Sequence, residues 1–149
     1  MNILIISDEP TLESFRQILA LKRDIEDITK KQVDLITFSH NRVFLNQKPA
    51  AGSNEILTTL ETALKRKKYS VLIISLTLKY LKQLFPEGFN ILDLIDNISP
   101  ETTVFIFGAK SLLKTIGKRK QVFSHPRRGV AKLTQEFKDQ IIAYIKSLR

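Results

Sequence analysis

At 149 residues, 43% hydrophobic and 26% charged, the chain has the size and balance of a single domain with a substantial core, and it holds no apolar run near the length of a membrane span. Cysteine is absent, which excludes disulfides and thiolate metal sites, and the N-terminal apolar stretch is too short for a secretion signal; both features fit a cytoplasmic protein. The formal charge of +9 is unevenly spread: residues 1–109 hold 13 Lys+Arg against 13 Asp+Glu, whereas residues 110–149 hold 11 against only Glu136 and Asp139. An excess confined to one end points to an acidic partner, either nucleic acid or an acidic protein surface, and stands at even odds with a surface that only keeps the protein soluble.

The chain opens with Ile3-Leu4-Ile5-Ile6, which runs into Ser7-Asp8-Glu9-Pro10. Four apolar residues, three of them β-branched, ending in acids and a proline predict a buried parallel strand, a turn, and a helix starting at Pro10. Ligands in open α/β sheets bind at the carboxyl ends of strands, so Asp8 and Glu9 occupy a favourable place for chemistry. Leu12, Phe15, Ile18, Leu19, Ile25 and Ile28 then recur at helical spacing from about Thr11 to about Lys30, with a break near Arg23-Asp24 left open.

Val33 to Phe38 reads as the second strand. The stretch 39–53 reads as irregular, with Val43-Phe44-Leu45 either pairing back on that strand across His40-Asn41 or packing as a loop. Ser53 or Asn54 caps the next helix, whose stripe is Ile56, Leu57, Leu60, Ala63 and Leu64. Its terminal run Lys65-Arg66-Lys67-Lys68 is read as a helix end favoured by the dipole rather than as a binding motif. Val71 to Ile74 is the third strand and the most apolar, so it belongs near the sheet centre. A helix from about Phe89 to Ile98, a strand from Thr103 to Phe107, a short helix from Ser111 to Ile116, a strand at Gln121 to Phe123 ending in Ser124-His125-Pro126, and a final helix carrying Phe137, Ile141, Tyr144, Ile145 and Leu148 complete the chain. The expected architecture is one α/β domain over 1–149: a doubly wound, five-stranded parallel sheet covered on both faces, flavodoxin-like, with a long connection at about 39–53.

The opening Met1 to Pro10, the strand Lys68 to Ser75, the strand Val104 to Lys110, and His125-Pro126 together resemble the receiver domains of bacterial response regulators, the CheY-like fold. The resemblance covers almost the whole chain in order and layout. It implies acids after the first strand that hold Mg²⁺, an Asp after the third that takes a phosphoryl group, and a Thr or Ser and a Lys after the fourth and fifth. Here Asp8 and Glu9 stand at the acidic positions, with Ser7 in place of the other frequent acid. Ser75 stands at the phospho-acceptor position, Gly108 at the Thr/Ser position and His125 at the Lys position. An acyl phosphate needs a carboxylate nucleophile, and Mg²⁺ needs hard oxygen ligands in an octahedral array. The resemblance therefore implies a pseudo-receiver: no phosphotransfer, no metal, no cofactor and no enzymatic activity.

Other motifs carry less. His40 and His125 have no acidic cluster near them in sequence, Ser75 lacks a Gly-x-Ser-x-Gly setting, and Gly108-Ala109-Lys110-Ser111 lacks the spacing of a phosphate loop. Gly108-Ala109 followed by Ser124-His125-Pro126 also resembles the last motifs of uracil-DNA glycosylases, but Asp8-Glu9-Pro10 does not reproduce that family's glycine-rich early motif. Lys110, Lys114, Lys118, Arg119, Lys120, Arg127, Arg128 and Lys132 form a candidate surface for a protein or nucleic-acid partner, suited to backbone charge rather than base reading. The functional expectation is a phosphorylation-independent regulatory or protein-interaction module without membrane contact. It would serve as the N-terminal part of a transcription regulator, with an output domain or a second copy as partner. The alternatives are a stand-alone nucleic-acid-binding protein and a degenerate glycosylase-like protein.

Overall fold

The apolar run that opens the chain is strand β1 (Ile3–Asp8), with Ile3, Leu4, Ile5 and Ile6 all at most 4% exposed. A strand buried on both faces must lie inside a sheet that is covered on both sides. In the computed structural model, which describes residues 1–8, 12–39, 42–49, 56–75, 95, 97–108, 122–126 and 135–148, β1 is flanked in parallel by β2 (Asp34–Ser39) and β5 (Val71–Ser75). Beyond β5 lie β6 (Thr103–Gly108) and β7 (Val122–Pro126), also parallel. Beyond β2 lie β3 (Arg42–Leu45) and β4 (Lys48–Pro49), both added antiparallel. The sheet thus reads β4-β3-β2-β1-β5-β6-β7.

The expected five-stranded parallel sheet is corrected by this finding: the chain is α/β, but its sheet is mixed and has seven strands. Val43-Phe44-Leu45, one of the two options for the long connection, pairs back on β2. The reason lies in the turn between β3 and β4, where Asn46 and Gln47 both have positive φ, 52° and 66°. Two successive left-handed residues form the hairpin turn whose twist matches the flanking strands, and Asn tolerates that region better than most residues. Pro49 closes the outer strand with a residue that has no N–H to offer, which blunts the sheet edge.

Helix α1 (Leu12–Thr29) is unbroken through Arg23-Asp24 and ends with Lys30 in the left-handed region, its N–H bonded back to the Glu26 carbonyl at 2.8 Å. Helix α2 (Ile56–Arg66) precedes β5, and helix α3 (Gln135–Ser147) ends the described chain. The proposed caps at Ser53 and Asn54 and the helix at Ser111 to Ile116 lie outside the described residues, and of the helix expected at Phe89 to Ile98 only residues 95, 97 and 98 are described, as helical. Alternate sheet residues sort onto two faces. Ile3, Ile5, Leu35, Val71, Ile73, Phe105 and Phe107 pack with Ile18, Leu21 and Ile25 of α1 and with Phe137, Ile141 and Ile145 of α3. Leu4, Ile6, Ile36, Leu72, Ile74, Val104 and Ile106 are equally buried on the other face, where the right-handed crossover from β2 to β5 carries α2 with its buried Leu60, Ala63 and Leu64.

Aromatic packing fixes α3 to the sheet. Phe137 stacks on Phe107 with centroids 5.5 Å apart and meets Phe105 edge-on at 6.1 Å; Tyr144 meets Phe105 edge-on at 5.6 Å and its hydroxyl hydrogen-bonds the Thr103 hydroxyl at 2.8 Å. Such pairs add to area burial. Phe137→Ala is expected to cost about 3–5 kcal/mol in urea unfolding, the range for emptying a fully buried aromatic site.

A buried carboxylate ties the hairpin to the rest of the sheet. Asp34, 7% exposed, accepts hydrogen bonds on Oδ2 from the Tyr69 hydroxyl at 2.7 Å and from Lys67 Nζ at 2.9 Å, and on Oδ1 from Asn46 Nδ2 at 3.1 Å. Asn46 Oδ1 accepts from the Leu35 N–H at 2.8 Å, and the Asn46 N–H donates to the Leu35 carbonyl at 2.8 Å. The hairpin turn, the end of α2 and the approach to β5 therefore meet on one side chain. Burial pushes the Asp34 carboxyl up, but hydrogen bonds from Tyr69, Lys67 and Asn46, with the Lys67 charge, outweigh it and hold the group below its ordinary value. Burial, the hydrogen bond to Asp34 and its charge push the Tyr69 hydroxyl well above the ordinary tyrosine range. Since the native carboxyl is the depressed one, its stabilisation is complete above the ordinary value of 3.8 and is lost as pH falls through the native value. Asp34→Asn is expected to cost about 2 kcal/mol at neutral pH. The melting-temperature gap to wild type should hold steady down to about pH 5 and narrow below it.

Candidate functional site

A parallel sheet has two unlike ends, and ligand chemistry belongs at the carboxyl end, where the strand order reverses. The chain leaves β1 for β2 on one side and returns past it to β5 on the other, so the reversal falls between β1 and β5. The register there is direct: Ser7 of β1 stands opposite Ser75 of β5, and Ser75 stands opposite Phe107 of β6, which stands opposite His125 of β7. On the other flank Ser7 stands opposite Thr37 of β2. Thr37, Ser7, Ser75, Phe107 and His125 thus form one row across five strands.

Asp8 lies one step beyond this row on β1, opposite Phe38, and Gly108 one step beyond it on β6, opposite Pro126. The fold therefore gathers Asp8, Ser75, Gly108 and His125, four residues singled out from the sequence, at the carboxyl edge. It does not make them equal neighbours: Ser75 is one strand from β1, whereas His125 is three strands away, about 14 Å across the sheet. Glu9 lies outside the described residues, as do Lys110, Lys114, Lys118, Arg119, Lys120, Arg127, Arg128 and Lys132.

Sequence reasoning passed over Thr37 and noted Ser7 only as the replacement of an acid. Both are buried, Ser7 at 2% and Thr37 at 1% exposed, beside Ser75 at 3%. By strand alternation these three share the face that carries α1 and α3. The signal was available: strands otherwise apolar place a small hydroxyl residue at the same distance from their ends, and parallel pairing aligns them. The row is polar but uncharged. It can accept or donate hydrogen bonds, yet it supplies no carboxylate to attack phosphorus, and Ser75 has no general base beside it in the row other than the distant His125 position.

The fold that the sequence resembles holds Mg²⁺ at this edge. Among the described residues no group of three or more His, Asp or Glu is arranged to hold a metal, and Asp8 with two serines does not make the hard oxygen set that Mg²⁺ requires. Also among the described residues, no helix is long and apolar enough to cross a membrane. No protein-family model matches the chain, and no curated protein matches it in sequence.

Restoring a carboxylate to this position gives a direct measure of the environment. Ser75→Asp places a charge at a buried position whose row neighbours are Ser7 and Phe107. The variant is expected to lose about 3 kcal/mol at neutral pH. Burial raises the new carboxyl, so the loss should shrink as pH falls below the ordinary carboxylate range and the group becomes neutral. Chemical denaturation at two pH values reads both.

Proposed function

We propose that the chain is a receiver-like regulatory module that acts through protein contact and without phosphotransfer. The observation that carries this reading is the pairing of Ser7 with Ser75 across the strand-order reversal. A receiver needs carboxylates on these two strands; here the paired positions are buried hydroxyls. The order of the parallel strands supports the same reading. Leaving the hairpin aside, they run β2-β1-β5-β6-β7, which in order of appearance is the 2-1-3-4-5 arrangement of doubly wound, flavodoxin-like sheets. The partner is an output domain, a second copy or another protein, and the surface that meets it is the basic set from Lys110 to Lys132.

A fold of this kind suits regulation without chemistry because its packing does not call for carboxylates at the carboxyl edge. Core burial and the Asp34 cluster hold the sheet from its middle and its opposite end. The edge is thus free to vary, and function follows the residues placed there rather than the fold.

Incubation with acetyl phosphate and Mg²⁺ tests the reading by intact-mass measurement: the wild-type chain is expected to gain no phosphoryl group. A stable Mg²⁺-dependent adduct would overturn it. Charge reversal at Lys118, Arg119, Arg127 and Arg128 is expected to abolish partner binding, with the melting temperature measured as the control that the fold is intact.

A further inference from the structure

The helices run against the parallel strands, so α1, α2 and α3 all end at the edge where the strands begin. Residues 1–109 are neutral in sum, yet among the described residues exposed cations gather at one edge. Asp8 closes β1 and Glu13 opens α1 at the carboxyl edge. At the opposite edge stand Lys65 and Arg66 in the last turn of α2, Lys146 in the last turn of α3, Lys31 before β2, Lys68 before β5, and Lys48 on β4 beside the hairpin turn. All six are exposed.

The acids of this edge, which are Glu26 and Asp27 in the last turn of α1, Asp34 and Glu101, are fewer than these cations, and Glu26 is already bound to Lys22 at 3.0 Å. Asp34 is buried and bound to Lys67 at 2.9 Å. Glu101 meets Lys68 at 3.2 Å, but the two side chains are 79% and 78% exposed, and such a pair is weak. Among the described residues the other five cations make no ion pair. Helix dipoles favour cations at helix C-termini and account for Lys65, Arg66 and Lys146. Lys31 and Lys68 follow the ends of α1 and α2 by two residues, whereas Lys48 stands on a strand, where no helix dipole accounts for it. Two clefts, of about 380 and 490 Å³, open on this edge and both include Lys68 and Glu101 in their walls. The exposed pair is thus a bar between two parts of one groove, with Lys65 and Arg66 on one side of it.

We propose that this edge binds the phosphate backbone of a nucleic acid, with Lys65, Arg66 and Lys68 as the main contacts and Lys31 and Lys48 extending the track. Phosphate displaces Glu101 from Lys68 as it enters the groove. From β4 to β5 is four strand spacings, about 19 Å. That span matches about half a turn of a duplex measured along its axis. The chemistry favours phosphate over an acidic protein because six exposed cations stand at this edge against a single exposed large apolar side chain, Leu148 in the wall of the larger cleft. Leu148, 43% exposed, is the one large hydrophobic side chain exposed among the described residues. Protein interfaces are centred on desolvated aromatic and aliphatic groups, whereas phosphate contacts need only long cationic side chains and carry no sequence information. This surface stands apart from the receiver reading, which concerns the opposite edge.

Anisotropy of a labelled DNA duplex of arbitrary sequence, titrated with the full chain between about 50 and 200 mM salt, tests the proposal. The double variant Lys65→Gln/Arg66→Gln is expected to bind about tenfold more weakly at low salt and to flatten the slope of log K against log salt by about 1.8, for two lost phosphate contacts. Glu101→Gln releases Lys68 and is expected to tighten binding about threefold. All three substitutions change exposed side chains, so unchanged melting temperatures serve as the control. The cations from Lys110 to Lys132 are untouched throughout, so a change in slope belongs to this edge. Wild-type affinity and slope in the double variant, together with an inert Glu101→Gln, would overturn the proposal. So would tighter binding of poly-glutamate than of the duplex at equal salt, which would mark the edge as a docking surface for an acidic protein.

Discussion

A strand that is apolar on both faces leaves the chain few options. β1 has no polar side for water, so strands must flank it and helices must cover it above and below. Parallel neighbours require crossovers, and right-handed crossovers that leave β1 in both directions place α1 and α2 on opposite faces. The antiparallel course of every helix then gives the domain two unlike ends. Helices start and strands finish at one; helices finish and strands start at the other.

Those ends are chemically distinct because backbone and side chains act together. Free carbonyls at helix C-termini favour cations, and the described helices α2 and α3 place Lys65, Arg66 and Lys146 there. At the carboxyl end the aligned Thr37, Ser7 and Ser75 make a buried, uncharged row. Among the described residues the structure is therefore polarised: the edge where the strands begin carries more exposed charge than the carboxyl edge. Asp34 marks the difference in kind between a buried charge and an exposed one. It is held by three side chains and fixes the hairpin, whereas Glu101 at the same edge is solvated and readily exchanged.

Residue pattern alone determined the α/β class, the segments that form β1, β2, β5, β6 and β7, and the buried positions Ile18 and Ile25 of α1, Leu60 and Leu64 of α2 and Phe137, Ile141 and Ile145 of α3, though not the exposure of Leu148, because alternation and helical periodicity are local and record which side of an element is dry. It also marked Asp8, Ser75, Gly108 and His125 as residues at strand ends. Tertiary structure decided what depends on pairing between distant segments. The hairpin rests on two left-handed residues, Asn46 and Gln47, and on the reach of Asn46 to Asp34, which no short window reveals. The hydroxyl row exists only because β1, β2 and β5 align in register. The basic run Lys65 to Lys68 reads as a helix end in sequence, and it is one; the fold then divides it, turning Lys67 inward to a buried carboxylate 33 positions away and leaving its neighbours in the company of Lys31 and Lys48. Charge balance along a chain is a sum, and a sum over residues 1–109 is zero; folding, by setting α1, α2 and α3 against the strands, brings the described cations Lys31, Lys48, Lys65, Arg66 and Lys68 to one edge.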